Sequence, residues 1–120
     1  MFPSYILAKL YIQGSLKNTA TGFELKLKNS LDSATLVGLG PLKVDDAAFN
    51  PDACKVKIGE VVKNGSEITR QSPLPVRVNR EIEMQIEAAP LAAGPHKVAF
   101  QIYTQEIGLV QFSITDKIAE

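Results

Sequence analysis

The sequence predicts an all-β fold, a two-sheet antiparallel sandwich of immunoglobulin-like class, on three observations. Apolar residues alternate with polar ones along most of the chain, turn residues recur at intervals of roughly eight to twelve positions, and no helical pattern reaches three turns. The alternation is clearest near the C-terminus. Val98, Phe100 and Ile102 share one face, and Val110, Phe112 and Ile114 do the same beyond Gly108. A short Gln105-Glu106-Ile107-Gly108 link makes this pair an antiparallel hairpin whose greasy face needs a partner sheet. A small barrel enclosing a cavity lined by Phe23, Phe100 and Phe112 is the competing architecture.

From the N-terminus, Tyr5 to Gln13 alternates with Ile6, Ala8, Leu10 and Ile12 on one face, which predicts a first strand with Tyr11 on its outer side. Phe23, Leu25 and Leu27 oppose Glu24, Lys26 and Lys28, a strand with one wet side. Asn29 to Ser33 reads as a turn. Extended chain follows through Thr35, Leu36, Val37, Leu39, Leu42 and Val44, kinked at Gly38-Leu39-Gly40-Pro41 because proline removes a ladder donor. Asp45-Asp46 suits a tight turn, and Asn50-Pro51-Asp52 can open one helical turn, the only helix expected. Cys54, Val56 and Ile58 resume period two. Val61 and Val62 lead into Asn64-Gly65, a hairpin-turn dipeptide, with Glu67-Ile68-Thr69 returning. Ser72-Pro73-Leu74-Pro75 fits a connection or a sheet edge. Val76 and Val78, then Ile82, Met84 and Ile86, restore the alternation, and Ala88 to Pro95 is a loop. Seven to nine strands result.

A chain of 120 residues with 45% hydrophobic content makes one domain, residues 1–120. Lys plus Arg and Asp plus Glu stand at 13 each, so there is no basic excess for a nucleic-acid backbone. The N-terminal run carries Lys9 and lacks a basic leader or a cleavage site, which argues against a signal peptide or a membrane span. One cysteine cannot form an internal disulfide, and a cytoplasmic location is expected. Asn64-Gly65-Ser66 is formally a glycosylation sequon, but reads better as a turn.

The residues offer little chemistry. His96, the single histidine, reads as a partly buried imidazole bonded to backbone at a strand start, since no metal or relay partners lie near it in sequence. Cys54 falls in the apolar phase of a strand and behaves as a core residue. Glu81, Glu83 and Glu87 form a solvated row, and Asp45, Asp46 and Asp52 lack the spacing of a calcium loop. Gly38-Leu39-Gly40-Pro41 puts proline where a phosphate-cradling amide would stand. No catalytic, cofactor or metal residue is assigned to this chain. Two unusual stretches, Phe2 with Tyr5 and Pro73, Leu74 and Pro75 with Arg77, are the candidate partner interface.

Ser15-Leu16-Lys17-Asn18 followed by Gly22-Phe23-Glu24, the run Leu91-x-x-Gly94-x-His96-x-Val98, and the closing Gly108 to Asp116 strand resemble the small β-subunits of bacterial C-glycoside deglycosidases. The resemblance implies a noncatalytic accessory subunit in a hetero-oligomer with a larger catalytic α-subunit of barrel fold. That subunit would hold a divalent metal, such as manganese, and the complex would act as a carbon-carbon lyase on 3-oxo-C-glycosides. The alternative is an autonomous immunoglobulin-like binding or scaffold domain.

Overall fold

The computed structural model describes residues 3–119, and these form two antiparallel sheets packed face to face. The strands are β1 (Lys17–Asn18), β2 (Gly22–Lys28), β3 (Ala34–Leu39), β4 (Leu42–Val44), β5 (Ala47–Phe49), β6 (Cys54–Ile58), β7 (Val61–Asn64), β8 (Leu74–Val76), β9 (Glu81–Glu87), β10 (Gly94–Thr104) and β11 (Gly108–Ile118). The first sheet runs β1-β2-β9-β6-β7. In the second, β10 is flanked by β11 on one side, and on the other by β3 and β4 in succession, with β8 beyond β3 and β5 beyond β4. The β2-β9-β6 and β3-β10-β11 groupings are those of an immunoglobulin-like sandwich. The strands beyond the seven to nine expected are pieces of two or three residues, too short to show a period.

Period-two burial builds the core. Phe23, Leu25 and Leu27 of β2 face Val98, Phe100 and Ile102 of β10, all buried, and Phe112 stacks on Phe100 with ring centroids 4.8 Å apart. Phe23, Phe100 and Phe112 therefore fill the space between two sheets instead of lining a barrel cavity. The kink expected at Gly38-Leu39-Gly40-Pro41 divides one strand path into β3 and β4, and the Gly40 N–H keeps the path in register by donating to the Gln101 carbonyl at 2.8 Å. Gly22 allows a close approach, since a Cβ there would run into the Ile86 carbonyl oxygen.

Two local expectations are corrected. Residues of the supposed first strand form a short helix, α1 (Ser4–Leu7), continued by a 3-10 turn over Ala8–Leu10. The Pro3 carbonyl accepts from the Ile6 and Leu7 amides, and the buried pair Leu7 and Tyr11 stands four residues apart, so helical spacing prevails over the alternation. Tyr11 thus lies in the core, not on an outer face. The middle hairpin turns at Gly59-Glu60 and not at Asn64-Gly65, because Ile58 pairs with Val61 across two residues and Gly59 has φ +61°. Asn64 instead caps a 3-10 turn over Gly65–Glu67, with its side chain accepting from the Ser66 amide and Glu67 reaching back to the Asn64 amide. A 3-10 turn does occur at Pro51–Ala53, as expected, although it is one of several.

Candidate functional site

At the end of the sandwich where α1 and the turn after it meet the β10–β11 hairpin, the two sheets fail to close on each other. The gap is an apolar cavity of about 260 Å³. Its floor is core: Leu27 and Ile82 from the first sheet, Leu36, Ile102 and Val110 from the second. Its mouth carries Leu10, Leu31 and Ile107, the last of them 47% exposed. A dry, aliphatic-lined cavity of about 150 Å³ suffices to bind benzene, so this one has room for a branched aliphatic side chain or a short acyl segment.

Polar groups at the rim hold the mouth in shape. The buried Asn29 amide donates to the carbonyls of Asp32 and Val76 at 2.7 and 3.1 Å. The Glu106 carboxylate accepts from the Thr35 amide at 2.7 Å and hydroxyl at 2.9 Å, and those two donors hold it below the usual carboxylate range. Thr104 Oγ1 ties the hairpin loop, accepting from the Ile107 amide and donating to the Gly108 carbonyl. With these donors and acceptors engaged by the protein, what the cavity offers a ligand is chiefly shape and dispersion.

A second constellation fastens the N-terminal segment to β11. Asp116, 5% exposed, accepts from the Tyr11 hydroxyl at 2.6 Å, the Gly14 amide at 2.9 Å, the Gln13 side chain at 3.1 Å and the Lys117 amide at 2.8 Å. Burial alone would push this carboxyl up, but the donors, with Tyr11 foremost, outweigh it and hold it below its ordinary value. The same burial and the Asp116 bond push the Tyr11 phenol far up. No sequence signal foretold this pair, which lies 105 positions apart.

His96 is placed by the strand start, as its Gly-Pro context suggested, and it has a partner the sequence did not reveal. Its Nε2 faces the Ala92 carbonyl at 2.6 Å and its Nδ1 pairs with the Asp45 carboxylate. Asp45 is presented by the two-residue β4–β5 turn, where Asp45 and Asp46 both adopt positive φ, and its second oxygen accepts from the Lys97 amide at 2.8 Å. Both ring nitrogens face acceptors, an arrangement that only the imidazolium satisfies. The Ala92 carbonyl first and Asp45 second raise His96 above its ordinary 6.5, while the Lys97 amide first and His96 second lower Asp45 below its ordinary 3.8. The sign of the linkage follows. The histidine's contribution to stability is full below pH 6.5 and fades as pH rises through its folded value, and that of Asp45 is full above pH 3.8 and fades as pH falls through its own. His96→Gln should therefore lower the melting temperature more at pH 5.5 than at pH 9, checked by thermal melts across that range.

The other sequence candidates fall as follows. Tyr5 is 71% exposed, and Pro73, Pro75 and Arg77 are also exposed, but Leu74 is in the core and unavailable to a partner, while Phe2 lies outside the described residues. Tyr5 stands on α1 and the prolines at the β8 edge. Burial pushes the Cys54 thiol up to about 12, which suits a core residue and not a nucleophile. Among the described residues no group of three or more His, Cys, Asp or Glu side chains is placed to hold a metal ion. No described helix is long and apolar enough to cross a membrane.

A sandwich of this kind hosts many activities, so the comparison with known families decides the lineage. The family model described as hydroxymethylglutaryl-CoA reductase, N-terminal domain, matches residues 6–119. The chain belongs to that family. The match spans nearly every described element, from α1 through β11, and it overturns the resemblance to C-glycoside deglycosidase β-subunits, which rested on three short motifs. Those motifs have other reasons to exist here: Gly22 answers the close approach of Ile86, and His96 anchors a loop through Ala92 and Asp45. With that resemblance go the lyase reaction, the 3-oxo-C-glycoside substrate and the basis for a metal-bearing barrel partner. No curated protein matches the chain.

Proposed function

We propose that this chain is a noncatalytic N-terminal module of a hydroxymethylglutaryl-CoA reductase, and that it docks on the catalytic portion of that reductase through the end cavity. The observation that carries the reading is the cavity itself, a ready-made aliphatic socket with a fixed polar rim on a domain of that family. Interfaces of this type gain most of their affinity from one or two apolar anchors seated in a dry pocket, with rim groups setting orientation. An exposed leucine, isoleucine or methionine of the catalytic portion is the matching anchor. The module's role is positional: it braces a neighbouring surface and leaves the reduction to residues elsewhere.

Leu31→Trp tests this, because Leu31 sits in a loop at the mouth and an indole there would occupy the cavity. Titrating the 120-residue chain into the catalytic portion of the same organism's reductase, followed calorimetrically, should give a dissociation constant on the order of micromolar. The variant should bind at least about tenfold more weakly with an unchanged melting temperature, the equivalent of about 1.4 kcal/mol. Equal affinity for both, or no binding by the native chain, would contradict the reading.

A further inference from the structure

The segment that joins β9 to β10, Ala88-Ala89-Pro90-Leu91-Ala92-Ala93, has no charged residue and is fastened at few points. The Ala88 amide donates to the Thr21 carbonyl at 3.2 Å. Asn18 of β1 then grips Leu91 twice, its side-chain amide donating to the Leu91 carbonyl at 2.9 Å and its oxygen accepting from the Leu91 N–H at 2.8 Å. Beyond Leu91 the exposed pair Ala92 and Ala93 has a single fastening among the described residues, the bond between the Ala92 carbonyl and His96 Nε2. The imidazole, only 10% exposed, is held from its other side by Asp45, so one ring ties this segment to the β4–β5 turn.

Few charged groups surround the ring. The β4–β5 turn supplies Asp45, in contact, with the exposed Asp46 beside it. On β11, Asp116 stands opposite His96 in the ladder, but its oxygens are engaged by Tyr11, Gln13 and the amides of Gly14, Leu16 and Lys117. On β10 itself Lys97 follows in the opposite phase of the strand, and it meets Asp45 through its amide. Asp45 is held below its ordinary value and stays ionised through the neutral range, so the ring is the group that changes charge there. A neutral imidazole keeps one N–H. Retained on Nδ1, it preserves the bond to the Asp45 carboxylate and turns a bare lone pair on the Ala92 carbonyl oxygen. Retained on Nε2, it would set that lone pair against a full negative charge, so Ala92 is the partner that is lost. We propose that His96 is a proton-operated latch: the imidazolium clamps Ala92 and Ala93 to the β4–β5 turn, and its deprotonation frees them while Asn18 still pins Leu91. The latch stands at the far end of β10 from Ile102 and Thr104, which line the end cavity, and it is independent of docking there.

Because His96 is the single histidine, its ring resonances give one unambiguous titration curve in the full chain. Magnetic-resonance relaxation at the Cα of Leu91, Ala92 and Ala93, followed over the same pH series, reads the latch. The ring should titrate above the ordinary 6.5, and at the same midpoint the order parameters of Ala92 and Ala93 should fall from about 0.85 to below about 0.6, with Leu91 unchanged. Asp45→Asn should carry the ring titration and the loosening together to lower pH, since the carboxylate no longer favours the charged ring. His96→Gln should leave the order of Ala92 and Ala93 without a pH-dependent step between pH 5.5 and 9. Order parameters that stay constant through the native ring titration overturn the proposal. So does a step that persists in His96→Gln, or one that Asp45→Asn leaves in place. The native series and Asp45→Asn decide the matter even where His96→Gln does not fold.

Discussion

Phe100→Ala should destabilise the fold by about 3–5 kcal/mol, measured by chemical denaturation. Phe100 is 1% exposed at the middle of β10, the strand that bonds to β11, β3 and β4 together. It stacks on Phe112 and lies 6.1 Å from the Tyr11 ring, so truncation empties a space bounded by three elements that cannot collapse independently. The lost transfer free energy is therefore joined by a cavity cost, and the upper half of the range is expected. Phe100→Leu, which retains most of the volume, should cost much less.

Asp116→Ala should be the most damaging polar substitution, at about 2–4 kcal/mol, since hydrogen bonds to a charged group are worth more than neutral ones and two of the donors left behind, the Tyr11 hydroxyl and the Leu16 amide, belong to buried residues. The Tyr11 hydroxyl and the Gly14 and Leu16 amides all converge on one carboxylate oxygen, and the truncation orphans them together. Proteolysis should then begin in the N-terminal segment, because its attachment to β11 runs through this group. The same carboxylate sets an acid limit. Its folded value is lowered, so its stabilisation is complete above the ordinary 3.8 and is lost as pH falls through the folded value. The unfolding free energy of Asp116→Asn, measured by chemical denaturation, should accordingly change less with pH below 4 than that of the native chain.

The five principal strands, β2, β6, β9, β10 and β11, were legible because each buries one face and exposes the other, which writes the period directly into the residues. Where that condition lapses, legibility lapses too. In the N-terminal segment Ile6, Ala8, Leu10 and Ile12 alternate, yet Leu7 and Tyr11 are the buried residues, and a helix of four residues is too short for one period to exclude the other. Asn64-Gly65 carries a hairpin signature, but the strand pair had already turned at Gly59-Glu60. The end cavity was invisible for a different reason. Its walls come from α1, the loop before β3, and strands of both sheets, and each lining leucine looks like an ordinary core residue in its own segment. The Tyr11–Asp116 bond and the His96–Asp45 pair likewise join positions that only the topology makes neighbours. The three motifs that suggested a deglycosidase subunit were local features of turns and strand starts, which many sandwiches share.

Whether the end cavity is the docking socket is best tested by following the methyl resonances of Leu10, Leu31 and Ile107 while the catalytic portion of the reductase is added. The account predicts that these three shift together and saturate, while the exposed Val61 and Val62 on β7 stay in place. Saturating shifts confined to β7, or no shift at the cavity mouth, would contradict it.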